Sequence, residues 1–585
     1  MRLSSRAVSF VVPLVVLIAF TMLIAPRLKQ RADTFESLFP RILATELSYY
    51  VSQYLARPVN ISSVLIDRKH NRLQFNGITV GRRPNELGPA LAKVDRLVVH
   101  YDPRFLTLHL FDPLSSIGDI EVYHPDLFVV HNRSGQWNVL NIGKPRQPNA
   151  RSNIPLTTNI RVSDAALTYL DLAPVHTPPY LFTARATAGR GTIVLQKNGP
   201  VRWKLEAMGA PPVPGLRTAF RHAQVDGYFD PMDNSANINV VTDHGDMAHI
   251  LGAYVNVSFA KLTSGDAAGT LNFYHPPPTA SGPLPWQYVI NADFANLSGT
   301  VQWLQAPVRN ASGHAALSGQ TIQFRIDGAD YGGAHLSGSG VLLDFHQPVV
   351  NGTFTAAGVT EGMVYPFLPA NERGLIRIVA PSSGIVTLQG PLARPDITGR
   401  LNSPAVIVDN IPVSNATLGF SYLAGQLSLS RVLFAVGGGT ADLTGNLVST
   451  PQGPAYRLTG SLQDIDLARL PLPAAFTKFA AKGVLTGNVQ LTGAGKSFNL
   501  FTRFAARNTQ FALNGTPYFA RSASGVLRAI AGPDGLTAAS TNLKANGLLI
   551  VMKGERYAAD GLSGVVNARM GGGALQSLPT QGSLS

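Results

Sequence analysis

The chain contains no cysteine. That excludes disulfides, thiolate zinc sites and cysteine nucleophiles. Charge is also scarce: 14% of residues are charged, against roughly 25% in an average soluble domain. The formal net charge of +14 is spread thinly, with no run of five or more basic residues. A nucleic-acid groove concentrates its Lys and Arg, so no nucleic-acid partner is expected. The thin positive charge points instead to a mild preference for anionic surfaces such as lipid headgroups.

Signatures of catalysis are missing too. There is no Gly-x-Ser-x-Gly elbow between a strand and a helix, no phosphate-binding glycine loop with its Lys, and no His-Glu-x-x-His. Gly437-Gly438-Gly439 precedes Thr440 and an alternating strand, whereas a dinucleotide loop opens a helix, so it reads as a tight sheet crossing or bulge. Asp243, His244, Asp246 and His249 could present metal ligands, but such a loop cluster is more often a solvated turn. His335 and His346 flank a strand segment without a third ligand. No paired carboxylates suggest tuned acid and base chemistry. The expectation is a protein that is not an enzyme, with no catalytic residue, cofactor or metal.

What is present is apolar and regularly spaced. Apolar residues make up 45% of 585, too many for a disordered chain and too long a chain for one ordinary core. Val8 to Ala25 carries no formal charge and is flanked by Arg2, Arg6, Arg27, Lys29 and Arg31. As a helix it would span about 27 Å, enough for a bilayer core. The expectation is a single transmembrane anchor, with a cleaved signal peptide as the rival. Asp33 to Leu55 repeats apolar residues every three or four positions and reads as a helix, bent or divided at Pro40 and stopped by Pro58. It reads as a lid over the first strands in preference to a membrane-surface helix.

From Asn60 the period changes to two. Ile322, Phe324 and Ile326 alternate with Gln323, Arg325 and Asp327; Leu427, Leu429 and Leu433 follow, then Ala441, Leu443, Gly445 and Leu447, then Leu485, Gly487, Val489 and Leu491. Asn76-Gly77, Asp226-Gly227, Asn351-Gly352, Asn514-Gly515 and Ser524-Gly525 read as turns. Asn256, Asn351 and Asn415, each in an Asn-x-Ser/Thr triplet, read as turn chemistry as well. Leu467 to Phe479 is a short helical candidate. Pro/Gly-rich interruptions at Lys144 to Pro155, Ala210 to Gly215 and Pro276 to Pro285 are either domain boundaries or long turns. The expected layout is a tail (1–7), an anchor (8–25), an amphipathic helical segment (26–57), a first β region (58–215) and a repetitive β region (216–585). A long sheet with one dry face must fold over it, close, or use it to hold an apolar ligand.

Three features together resemble the AsmA-like superfamily and its TamB-like branch. One is the charge-free segment Val8 to Ala25. Another is Ile117-Gly118-Asp119-Ile120-Glu121-Val122, leading through His124-Pro125-Asp126-Leu127 to Ser134-Gly135-Gln136-Trp137-Asn138. The last is Asp396 to Gly445, with Gly438-Gly439-Thr440-Ala441-Asp442-Leu443-Thr444-Gly445, and a similar unit at Leu485-Thr486-Gly487-Asn488-Val489. The chain is shorter than is typical of that branch.

The resemblance implies a mainly β fold: an N-terminal transmembrane helix, then an elongated, curved, U-shaped and repetitive groove in the periplasm. It implies an inner-membrane-anchored scaffold conducting phospholipid between inner and outer membranes. The alternatives are an assembly factor for outer-membrane proteins working by strand exchange, with an outer-membrane assembly protein as partner, and a non-transport envelope structural protein. Phe324, Ile326, Leu427, Leu429, Leu443 and Val489 are the expected groove-lining residues. Core packing is the plainer role for each.

Overall fold

The computed structural model describes residues 39–584 except 85, 87, 105–115, 135, 140–153, 155, 173–181, 213–217, 255–259, 280, 281, 283, 303, 305, 345, 346, 366–375, 409, 425, 451, 452, 471–481, 496, 514, 515, 533, 534, 553, 572, 573 and 578–580. The chain divides into two compact units. One comprises Met1–Leu304 and Val308–Phe324, the other Gln305–Pro307 and Arg325–Ser585.

The first unit opens with helix α1 (Phe39–Leu55). Strands β1 (Val59–Asp67), β2 (Arg72–Val80), β3 (Ala92–Tyr101), β4 (Ile117–His131), β5 (Thr158–Asp171), β6 (Phe182–Leu195), β7 (Val201–Ala210), β8 (His222–Phe229) and β9 (Ala236–Asp246) follow. Helix α2 (Met247–Tyr254), β10 (Ala260–His275), β11 (Gln287–Val301) and β12 (Val308–Ser318) complete it. Successive strands pair antiparallel, except β4 and β5, which pair in parallel from Ile120↔Ile160 to His131↔Asp171. A parallel pair cannot be joined by a tight hairpin, and residues 132–157 make the crossover. Pairing continues from β7 to β8 and from β10 to β11, so the interruptions at Ala210 to Gly215 and Pro276 to Pro285 are long turns.

Pro40 falls in the first described turn of α1, where its missing N–H costs no helical hydrogen bond. The apolar stripe of α1 packs inward: Leu43, Ala44, Leu47 and Leu55 are buried with Val64, Phe75, Leu97, Val99 and Ile120 in the largest core of the described residues. The helix also closes the outer edge of β1. Ser52 Oγ accepts from Val59 N at 2.8 Å and Ser48 Oγ from Ile61 N at 2.9 Å. Both donors would otherwise offer a template for strand addition.

The second unit contains β13 (Thr321–Tyr331), through which the unit boundary passes, then β14 (Ala334–Leu343), β15 (Val349–Val359), β16 (Ile376–Ile378), β17 (Ser382–Pro391), β18 (Asp396–Val408) and β19 (Ile411–Leu423). It continues through β20 (Gln426–Val436), β21 (Gly439–Thr450), β22 (Gly453–Asp466), β23 (Lys482–Ala494), β24 (Ser497–Leu513), β25 (Thr516–Gly532), β26 (Gly535–Met552) and β27 (Glu555–Gly571), with short β28 (Ala574–Ser577) and β29 (Gln581–Leu584) both pairing with β27. From β17 to β27 each strand pairs antiparallel with the next.

One backbone device recurs in both units. Midway along a strand, two consecutive residues point to the outer face, and the inward alternation resumes beyond them. In β24 Ala506 and Thr509 are buried while Arg507 and Asn508 are exposed; in β26 Ala545 and Leu548 are buried around exposed Asn546 and Gly547. The same step occurs at Gln463-Asp464 in β22 and Ser414-Asn415 in β19, and in the first unit at Ser163-Asp164, Ala295-Asn296 and Arg309-Asn310. The second residue of each pair has positive φ, between 50° and 62°. Asn, Asp and Gly tolerate that left-handed conformation best. An extra outward residue lengthens the polar face of the strand and favours a bend toward its apolar face, while between β24 and β26 the pairing register runs through the step unbroken.

Several expectations are corrected. Among the described residues no helix is long and apolar enough to cross a membrane. The 17 residues of α1 include Arg41 and Glu46, and its apolar stripe is spent on the protein core. Val8 to Ala25 lies outside the described residues. The described fold is therefore mainly β and antiparallel, and the expected transmembrane helix is not among its elements. The single-pass inner-membrane placement with a periplasmic body, and the anchored scaffold conducting phospholipid between two membranes, have no spanning helix among the described residues to rest on. Asn351-Gly352, Asp226-Gly227 and Ser524-Gly525 lie inside strands, Asn76-Gly77 lies inside β2 with Gly77 at φ +62°, and Asn514-Gly515 falls outside the described residues. Asn351 and Asn415 lie within strands, while Asn256 is outside the described residues. Of Leu467 to Phe479, only Leu467 to Leu470 are described, with Leu467–Arg469 as one 3-10 turn.

Candidate functional site: the apolar face of the second unit

Residues directly opposite across paired strands share a face of the sheet. In the second unit this places the alternating apolar residues in continuous rows running across the strands. One row passes through Tyr422, Leu427, Leu447, Tyr456, Gly493 and Phe498. The next is Phe420, Leu429, Gly445, Leu458, Leu491 and Leu500. A third is Leu418, Val432, Leu443, Gly460, Val489 and Thr502, continuing to Leu527 and Thr541. The reverse face carries Thr444, Thr459 and Gln490, and Asn446, Arg457 and Thr492.

The glycines in these rows are structural partners of large residues. A Cβ on Gly493 would lie 2.7 Å from the Tyr456 ring, and one on Gly399 would lie 2.7 Å from the ring of Phe420. Each ring lies across a neighbouring strand that has no side chain to oppose it. The face is thereby smooth, with aromatic and leucine side chains partly shielding one another.

These side chains are only half-buried from Leu418 to Leu500, apart from exposed Tyr422. Among the described residues, α1 packs on β1, α2 on β10 and Glu361–Val364 on β15, while the short 3-10 turn Leu467–Arg469 packs on β23. Full burial is reached at Val436, Ala441 and Ile465, at Thr502, and at Ala506, Ala520, Ala523, Ala545 and Leu548 beside the left-handed steps. Small residues suit the inside of a bend, where the two arms of each strand converge.

Of the six expected lining residues, Leu427, Leu429, Leu443 and Val489 lie on this face in adjoining rows and are half-buried. Phe324 and Ile326 share one side of β13 and are also half-buried, but the unit boundary passes between them. Leu433 leaves the face. A register shift between Leu429 and Val432 puts Val432 and Phe434 in its phase, and Leu433 opposes Asp442. Sequence reasoning missed Phe420, Tyr422, Tyr456, Leu458 and Leu500. Phe420, Tyr456 and Leu458 each oppose a strand glycine, Gly399, Gly493 and Gly445, whereas Tyr422 and Leu500 oppose none.

The loop cluster at Asp243 serves the backbone. Asp246 Oδ1 accepts from His249 N at 3.0 Å at the start of α2, and Asp243 Oδ1 accepts from His222 N at 2.9 Å. Partial burial pulls the Asp243 carboxyl up, but its backbone hydrogen bonds, with His222 N–H foremost, and the charge of His244 hold it below the usual range. The His249 ring stacks on Phe182 at 4.8 Å. His335 Nδ1 lies 3.4 Å from Asp330, and His346 is outside the described residues. Among the described residues no group of three or more His, Asp or Glu side chains could hold a metal ion.

The Trp137-Asn138 motif pins the crossover between β4 and β5. Asn138 Oδ1 accepts from Val130 N and its Nδ2 donates to Phe128 O, both at 2.8 Å. Trp137 stacks between His131 at 4.7 Å and Tyr169 at 5.5 Å. Beneath the stack, buried Asp171 faces His131 Nδ1 at 2.9 Å and accepts from Tyr169 Oη at 2.9 Å.

No family model and no curated protein matches the chain. Its function must be argued from the face itself.

Proposed function

We propose that the chain is a non-catalytic binding scaffold whose concave apolar face shelters the acyl chains of phospholipids, and that it is an AsmA-like protein. The observation that carries the reading is the set of continuous apolar rows from β19 to β24, whose large side chains from Leu418 to Leu500 stay no more than half-buried. An apolar surface of that extent that stays half-exposed calls for an apolar occupant. Each methylene removed from water contributes about 0.8 kcal/mol, so an acyl chain seated along the rows is held without any specific polar contact.

Strand addition fits less well at β1, where Ser48 and Ser52 occupy edge donors. The test is a photo-reactive residue placed singly at Leu429 or Val489, with Thr459 or Asn488 on the polar face as controls. The full chain is mixed with phospholipid vesicles and irradiated, and adducts are read by mass spectrometry. Lipid adducts from the first pair and not the second are expected. No adducts, or equal yields from both faces, would overturn the reading.

A further inference from the structure

Two residues break the dryness of the apolar face. Thr502 and Thr541 lie in one row on either side of Leu527: Val489↔Thr502, Thr502↔Leu527, Leu527↔Thr541. Thr502 is only 7% exposed. The hydroxyls of both are buried and have no hydrogen-bond partner among the described residues. Thr509, on the same strand as Thr502, behaves differently: its hydroxyl donates to Ala520 O at 3.2 Å. Buried hydroxyls are nearly always paired, so two unpaired ones in one row mark a place where a partner group is received.

We infer that Thr502 and Thr541 form a hydrogen-bonding subsite for the neutral carbonyl oxygens of ester-linked acyl chains. A threonine hydroxyl has one donor hydrogen, which suits a carbonyl acceptor. The surroundings select a neutral group. The flanking residues of the row are Val489 and Leu527, and the nearest cations in sequence, Arg503 and Arg528, alternate onto the opposite face. A phosphate here would be desolvated without a counter-charge, whereas an ester carbonyl needs only the hydroxyl. Two strand steps separate the threonines, about 10 Å, so each serves its own carbonyl. The ligand is thereby narrowed from any apolar chain to an acyl ester, and this rests on the acyl-chain reading above.

The test compares two phospholipids with the same headgroup and chain length, one ester-linked and one ether-linked. Binding to the full chain is measured for wild type, T502V/T541V and T502S/T541S. Valine keeps the shape and removes the hydroxyl; serine keeps the hydroxyl. Wild type is expected to prefer the ester lipid by about fivefold, the scale of a neutral hydrogen bond. The valine variant loses that preference with unchanged ether-lipid affinity, and the serine variant keeps it. Thermal unfolding without lipid is expected to show the valine variant folded and no less stable than wild type. Equal binding of ester and ether lipids by wild type, or a preference that survives in T502V/T541V, overturns the subsite and leaves the acyl-chain reading standing. Binding of neither lipid by wild type overturns both.

Discussion

Replacing Asn508 tests the bend most directly. Its φ is +50°, and the neighbours Ala506 and Thr509 both point inward around it. A β-branched residue in the left-handed region is strained by about 1–2 kcal/mol or more. The strand cannot relieve that strain by straightening. Restoring simple alternation beyond position 508 would turn Thr509 (9% exposed) outward and bring Gln510 toward the apolar side. Asn508→Val is therefore expected to cost about 1.5 kcal/mol, and Asn508→Gly close to nothing, since glycine pays no steric penalty there. The chain has two units, so one global unfolding transition is a poor reporter. Hydrogen exchange of the amides paired across β24, β25 and β26 reads the local stability instead. N508V should lower their protection about tenfold, and N508G should leave it unchanged. Equal protection in the two variants, or an N508G loss as large as that of N508V, would show that the conformation at 508 does not hold the bend.

Arg57→Met should destabilise the first core by about 3 kcal/mol, because the guanidinium is fully buried and bridges Glu86 and, at 2.7 Å, Asn138 O, leaving the Glu86 carboxylate without its partner. Adding Glu86→Gln should recover part of the loss, which a double-mutant cycle on thermal unfolding measures; a strictly additive cycle would contradict the pairing. In the β1–β2 hairpin, the His70 hydrogen bond, aided by Arg72 and opposed by partial desolvation, holds the Asp67 carboxyl at about 2, below its ordinary 3.8. Its contribution to stability is present above pH 3.8 and is lost as pH falls through 2; a carboxyl-carbon NMR titration with a midpoint near 3.8 would refute the contact.

Much of this architecture is legible in the residues. Strict alternation such as Ile322 to Asp327 can only satisfy water on one side and apolar neighbours on the other as a strand. The three- and four-residue spacing of Leu43, Leu47 and Tyr54 likewise defines the buried stripe of α1. That Leu427 and Leu429 share one side of their strand, and Leu443 and Val489 the apolar side of theirs, follows from phase, because phase is local and each strand carries it in its own sequence. The left-handed Asn and Asp positions were visible too, as Asn-Ala or Asn-Leu steps at Asn296, Asn310 and Asn415, but they resemble turn chemistry until the flanking strands are known to be continuous.

Register between strands is a different matter, since it joins residues far apart in sequence. Only the tertiary structure decides that Gly493 lies beside Tyr456, that Leu433 is shifted off the face, and that β5 runs parallel to β4. The same holds for Thr502 and Thr541. Each reads in the chain as one more polar residue in a strand, and it takes the pairing through Leu527 to place both hydroxyls in a single apolar row. The sequence by itself determined that there would be strands with one dry side. How those sides align, bend and remain half open is set by cross-strand packing, which no single segment encodes.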